Sequence, residues 1–154
     1  MDTPARTRPA LACGMSLERF CRKPMAVALA TETVQVAAEK MAQQHVGALV
    51  IVDEPGIPIG ILTDRDIVCR VLAGRRDPRA TSIQEVMSAN PVVVRVSDRI
   101  DEAAFTMRQM GVRRLPVIDV DGKAIGMVSL DDLIVLLAGE LGQTAETVRE
   151  NRGP

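Results

Sequence analysis

The chain has 154 residues, 47% of them hydrophobic, with 19 Lys or Arg against 20 Asp or Glu and a net charge of −1. That length supports one compact core or two closely packed halves, and the near-neutral balance argues against any general attraction to nucleic acid. Trp and Tyr are absent and Phe20 and Phe105 are the only aromatics, so there is no stacking platform for single-stranded bases and a flat ring would have to be held by aliphatic side chains.

Residues 1–14 are Pro- and Arg-bearing and are expected to be mobile. The run Ala10-Leu11-Ala12-Cys13-Gly14 has the outline of a lipoprotein cleavage site, but two prolines and two arginines stand where its apolar leader should be. Ser16 to Cys21 reads as a short helical lead-in, and Met25 to Leu29 as a brief strand. Thr31-Glu32-Thr33 opens an amphipathic helix with Val34, Ala37, Ala38 and Met41 on one face. Val46 to Asp53 and Ile57 to Leu62 are β-branched, apolar strands around the turn Glu54-Pro55-Gly56. A helix over Asp64 to Ala73 follows, with Thr63 and Asp66 spaced to close a capping box and Gly74 as the expected left-handed stop. Its N-terminus at the mouth of a βα turn suits an anionic group. Gly74 to Arg79 is a connector whose three arginines read as solvated.

The order then repeats. Ser82 to Met87 leads in, Pro91 to Val96 is a strand, Asp98 to Met110 a helix with Ile100, Ala103, Ala104 and Met107 inward. Arg114 to Asp119 and Ala124 to Val128 form a hairpin, Leu130 to Ala138 a helix ending at Gly139, and Thr144 to Asn151 a further helical tail. Gly60 falls on Gly126, a shift of 66 positions (126 − 60), and the same shift places Thr63 on Ser129, Asp66 on Asp132, Met41 on Met107 and Asp53 on Asp119 without a gap. The period exceeds the roughly 20–50 residues of solenoid repeats, so the chain reads as a fused pair. The expected bounds are 15–74 for repeat 1, 75–81 for the linker, 82–142 for repeat 2 and 143–154 for a tail. Nearly all the methionines read as core spacers, with no cofactor role.

Gly60-x-x-Thr63-x-x-Asp66, its echo Gly126-x-x-Ser129-x-x-Asp132, the β-α-β-β-α order and the segment Val86-Met87-Ser88-Ala89-Asn90-Pro91-Val92 together resemble a tandem CBS-domain pair, or Bateman module. The resemblance covers roughly residues 15 to 142. It implies an α/β (α+β) fold of two β-α-β-β-α repeats related by a pseudo-two-fold axis, with two clefts that bind AMP, ADP, ATP or S-adenosylmethionine. Asp66 and Asp132 would hold ribose hydroxyls, and Thr63 and Ser129 would meet ribose or phosphate. The resemblance also implies that each cleft borrows walls from the other repeat: Met87, Val92, Val112 and Arg113 for the Thr63/Asp66 cleft, and Cys21, Ala26, Val46 and Gly47 for the Ser129/Asp132 cleft. Arg113 and Arg114 have Gly47 and Ala48 as their equivalents, so cations stand only in repeat 2. They would meet phosphate or pair with a carboxylate on a neighbouring helix.

Each motif also has a purely structural reading, in which the hydroxyl–carboxylate pairs simply cap their helices. His45, the single histidine, reads as a surface or cap residue, with no second ligand at metal spacing. Without a nucleophile–base pair the chain is not expected to be an enzyme. The expectation is a regulatory sensor of an adenosine-containing ligand, requiring no cofactor, with Mg²⁺ held as a counter-ion near Asp64, Asp66, Asp131 or Asp132 when a polyphosphate is bound. The alternative is a ligand-independent scaffold that docks on a partner. A homodimer is expected on the resemblance. A cytoplasmic address is expected because three scattered cysteines without a Cys-x-x-Cys read as reduced, and no run approaches the roughly 18–20 apolar residues that span a membrane.

Overall fold

The computed structural model describes residues 17–19, 25–135 and 138–139. The expectations placed on residues 1–14, on Cys21 and on the tail from 143 lie outside these residues. Strand β1 is Val27–Leu29, helix α1 Val34–Gln44, β2 Ala48–Val52 and β3 Pro58–Thr63, followed by α2 at Asp64–Asp66. The second set is β4 at Ser88–Ala89, β5 at Val94–Arg95, α3 at Ile100–Met110, β6 at Arg114–Ile118 and β7 at Ala124–Ser129, with a helix α4 over 130–135.

Two sheets result, ordered β1-β2-β3-β4 and β5-β6-β7. In each, a parallel pair joined by a helix is followed by an antiparallel hairpin. The duplication extends to register. Ala28 pairs with Ile51 as Val94 pairs with Val117, and Ala48 faces Thr63 as Arg114 faces Ser129. Both hairpins shift register at the same place, between Ile51 and Val52 and between Val117 and Ile118. Their turns close alike: Asp53 and Asp119 accept N–H groups from the far side, and Gly56 and Gly122 take the positive φ that the turns need.

Helix α1 buries Val34, Ala37 and Met41, is capped by Thr33 and ends with His45 in the left-handed region at φ 54°. Helix α3 buries Ile100, Ala103 and Met107 and ends on Gly111 at φ 65°. These faces cover two cores, one centred on Leu49, Ile51 and Leu62, the other on Leu115, Val117 and Val128. The lead-in segments are exchanged between them. Leu17 is buried in the second core, while Ile83 and Val86 are buried in the first. Strand β4 likewise adds to the first sheet through β3.

Three details differ from the sequence reading. The strand expected over Pro91 to Val96 shortens to Val94–Arg95, and β4 arises before it. Helix α2 passes after one turn into a π-helical stretch, Ile67–Leu72, in which Ala73 N–H donates to Val68 O at 3.0 Å and only Val71 is buried. Gly74 is not the left-handed stop, since Arg75 takes φ 53°. A Cβ at Gly74 would lie 2.6 Å from the carbonyl oxygen of Arg70, so the glycine serves close approach instead.

Candidate functional site

The β3–α2 and β7–α4 corners are built the same way. Thr63 Oγ1 accepts from Asp66 N–H at 3.1 Å, and Asp66 Oδ2 accepts from Thr63 N–H and Oγ1 at 3.0 and 2.7 Å. Ser129 Oγ accepts from Asp132 N–H at 3.1 Å, and Asp132 Oδ2 accepts from Ser129 N–H and Oγ at 3.2 and 2.6 Å. Both capping boxes therefore form, and each costs the carboxylate one oxygen. Arg70 Nη2 stands 3.0 Å from the other oxygen of Asp66, Oδ1. Arg70 also donates to Val86 O at 2.6 Å and Ser88 Oγ at 3.2 Å, tying this corner to the lead-in of repeat 2.

Capping does not remove either pair from the surface of a cleft. Thr63 and Asp66 line a cleft of about 260 Å³ with Ile61, Ser88, Val112, Arg113 and Arg114. Ser129 and Asp132 line one of about 220 Å³ with Met25, Ala26, Val46, Gly47, Ala48, Arg114 and Met127. Each cleft thus combines a hydroxyl and a carboxylate from one repeat with walls from the other. Val112, Arg113 and Arg114 reach across to the first pair, and Ala26, Val46 and Gly47 to the second.

Two expected wall residues are not among these cleft linings. Met87 packs against the first core, its sulfur over Gly60, and Val92 packs against the second. The direction of a lead-in side chain is set by the sheet it crosses, which spacing alone does not specify. Met25 and Met127 line the second cleft, exceptions to the reading of nearly all the methionines as core spacers. Strand alternation could have found Ile61 and Met127, each two residues before the hydroxyl of its cap and so on the same face. Ser88 and Met25 carry no comparable signal.

The two arginines divide their roles. Arg113 pairs with Asp131 at 3.0 Å, both side chains largely exposed at 71% and 66%. Such an exposed pair contributes about 0–1 kcal/mol. Arg114 is half-buried, has no ion pair among the described residues, and lines both clefts. Among the described residues no three His, Cys, Asp or Glu side chains gather as a metal site. No helix among them is long and apolar enough to cross a membrane.

A duplicated β-α-β-β-α unit with a hydroxyl–carboxylate cleft per copy defines a paired module of the CBS type. The CBS domain family model matches residues 17–73 and 83–139, and the chain belongs to that family. It is 34% identical over 120 residues to the uncharacterized protein MK0525 of Methanopyrus kandleri, a match spanning 78% of this chain and 61% of that one. It is 40% identical over 104 residues to the CBS domain-containing protein YhcV of Bacillus subtilis, covering 68% and 72%. Among solved structures it resembles the CBS domain pair of protein MJ0100 in complex with 5′-methylthioadenosine and S-adenosyl-L-methionine, at TM-score 0.74 and 26% identity over 82% of this chain and 98% of that one. It also resembles the CBS domain protein PAE2072 from Pyrobaculum aerophilum complexed with AMP, at TM-score 0.72 and 25% identity over 81% and 99%.

Proposed function

We propose that the protein is a regulatory module that binds an adenosine-containing ligand, AMP, ADP, ATP or S-adenosylmethionine, and changes its shape or partner affinity in response. The observation that carries this reading is the placement of both capping pairs on cleft walls, opposite aliphatic or small side chains of the other repeat. A carboxylate accepts from vicinal ribose hydroxyls, the Val112 or Val46 side offers a flat apolar face to adenine, and Arg114 offers a guanidinium to an anionic tail. The AMP complex of PAE2072 and the nucleoside complexes of MJ0100 support the ligand class. Mg²⁺ would enter only as the counter-ion of a bound polyphosphate. Energy sensing follows if the ligand is an adenine nucleotide. The free, exposed thiol of Cys69 suits a reducing compartment, and the cytoplasm is the proposed address.

Thermal unfolding with a panel of these ligands tests the reading. A ligand at a hundredfold its Kd stabilises by about 2.7 kcal/mol, a rise of roughly 5–10 °C, and Asp66→Ala should reduce the rise. A flat response to every ligand would reject the sensor and favour a ligand-independent scaffold. That second reading draws on exposed apolar side chains, Val68 and Leu72 beside α2 and Phe105 and Met110 on α3. The same faces support a proposed homodimer, which light scattering would test.

A further inference from the structure

Arg114 opens β6 directly opposite Ser129, yet its side chain also lines the Thr63/Asp66 cleft. Its pseudo-symmetric equivalent is Ala48, opposite Thr63, which brings no charge. The neighbouring cation, Arg113, is engaged by Asp131 and has Gly47 as its equivalent. Gly47 leaves room chiefly for the Asp64 carboxylate, with Arg114 at ordinary contact distance. A Cβ there would stand 3.0 Å from Asp64 Oδ2 and 3.8 Å from Arg114 Nη2. Among the described residues, two clefts that each carry a carboxylate therefore share one guanidinium without an ion-pair partner.

Resting on the nucleotide reading above, we propose that Arg114 couples the clefts, so that the chain holds the anionic tail of one ligand at a time. A phosphate in either cleft draws the guanidinium to itself. The cation is thereby drawn away from the other cleft, which disfavours a second phosphate there but not a ligand with an uncharged tail. Because coupling free energies are reciprocal, the penalty is the same whichever cleft fills first. The result is one nucleotide and one uncharged nucleoside per chain, rather than two nucleotides.

Calorimetric titration of the full chain with AMP and with adenosine tests this. Adenosine is expected to fill two sites of similar affinity. AMP is expected to fill one site, with the second about tenfold weaker or more, a difference of about 1.4 kcal/mol. Arg114→Ala should weaken the first AMP site and bring the two within about threefold, with a smaller effect on adenosine than on AMP. Arg114→Lys should restore part of the difference. Two equal AMP sites in the native protein, a tenfold gap that survives Arg114→Ala, adenosine confined to one site, or no AMP binding would each overturn the coupling. The thermal panel separates this outcome from failure of the sensor reading. A flat panel removes both, whereas a responding panel with any of those titration results removes the coupling alone.

Discussion

Leu17 and Ile83 occupy equivalent places in opposite repeats: each is fully buried, and each lies in the core of the repeat it does not begin. The backbone repeats the exchange, with Leu17 N–H donating to Asp98 O at 3.1 Å and Ile83 N–H to Glu32 O at 2.8 Å. A bridge between Thr33 and Ser82 continues the second of these contacts. Neither repeat completes its core alone, so the two should unfold together. Truncating either side chain leaves a cavity in the other repeat, and Leu17→Ala or Ile83→Ala should each cost about 2–5 kcal/mol. Urea denaturation should show one transition moved to lower concentration in both variants. A transition split in two, with one half unaffected, would show that the exchange does not couple the repeats.

Gly60 is the first residue of the repeated motif, and its role is close approach. A Cβ there would fall 2.4 Å from Met87 Sδ and 3.3 Å from the carbonyl oxygen of Ser88, the first residue of β4. Gly60→Ala should therefore destabilise by about 1–3 kcal/mol, as overpacking does. Most of the clash is with a flexible side chain, so Met87→Ala in the same molecule should recover part of that loss. A double-mutant cycle measures the coupling. Strict additivity would mean that the cost comes from the Ser88 carbonyl instead.

What could be read without coordinates follows the range of the interaction. The capping boxes at Thr63/Asp66 and Ser129/Asp132 were legible because they close within four residues. The hairpins and their turns were legible because a shift of 66 superposes them residue by residue. Val112, Arg113, Ala26, Val46 and Gly47 came from pairing the resemblance with that shift, and they do stand across from the caps. Met87 packs against the first core and Val92 against the second, contacts that no spacing in the sequence specifies. The π-helical stretch was hidden because Ile67 and Val71 share a side under either an i→i+4 or an i→i+5 pattern. That Arg114 touches both clefts depends on where two sheets meet, which no local pattern records.

Arg70 ties the first corner to the lead-in of repeat 2. Its Nη1 serves Val86 O and its Nη2 serves Asp66 Oδ1 and Ser88 Oγ, whereas the equivalent position in repeat 2 is Leu136. Arg70→Ala should cost about 0.5–1.5 kcal/mol, chiefly through the unsatisfied Val86 carbonyl, since the ion pair is half-exposed. Arg70→Lys should recover only a fraction, because one ammonium does not span the contacts of a planar fork. Chemical denaturation of the two variants measures this. Full recovery with Lys would assign the effect to charge alone.

The acidity of Glu85 is clearly altered. The Ser82 N–H and hydroxyl both donate to it at 2.9 Å, and Arg76 pairs with its other oxygen, so its pKa lies below the ordinary carboxylate range. The backbone hydrogen bond from Ser82 is the largest cause, with the Arg76 charge a smaller one. A folded pKa below the unfolded one means that the contribution is complete above the unfolded value and is lost as pH falls through the folded value. The residue is exposed, and the effect should be small. Glu85 still caps the turn that carries Ile83 into the first core, so its protonation should loosen the exchanged segment. Glu85→Gln should lower the melting temperature at pH 7, and the gap to the native protein should narrow as pH drops below about 4. Melting curves across that range decide the matter: a gap that stays constant with pH would mean that the carboxylate charge has no part in holding the lead-in.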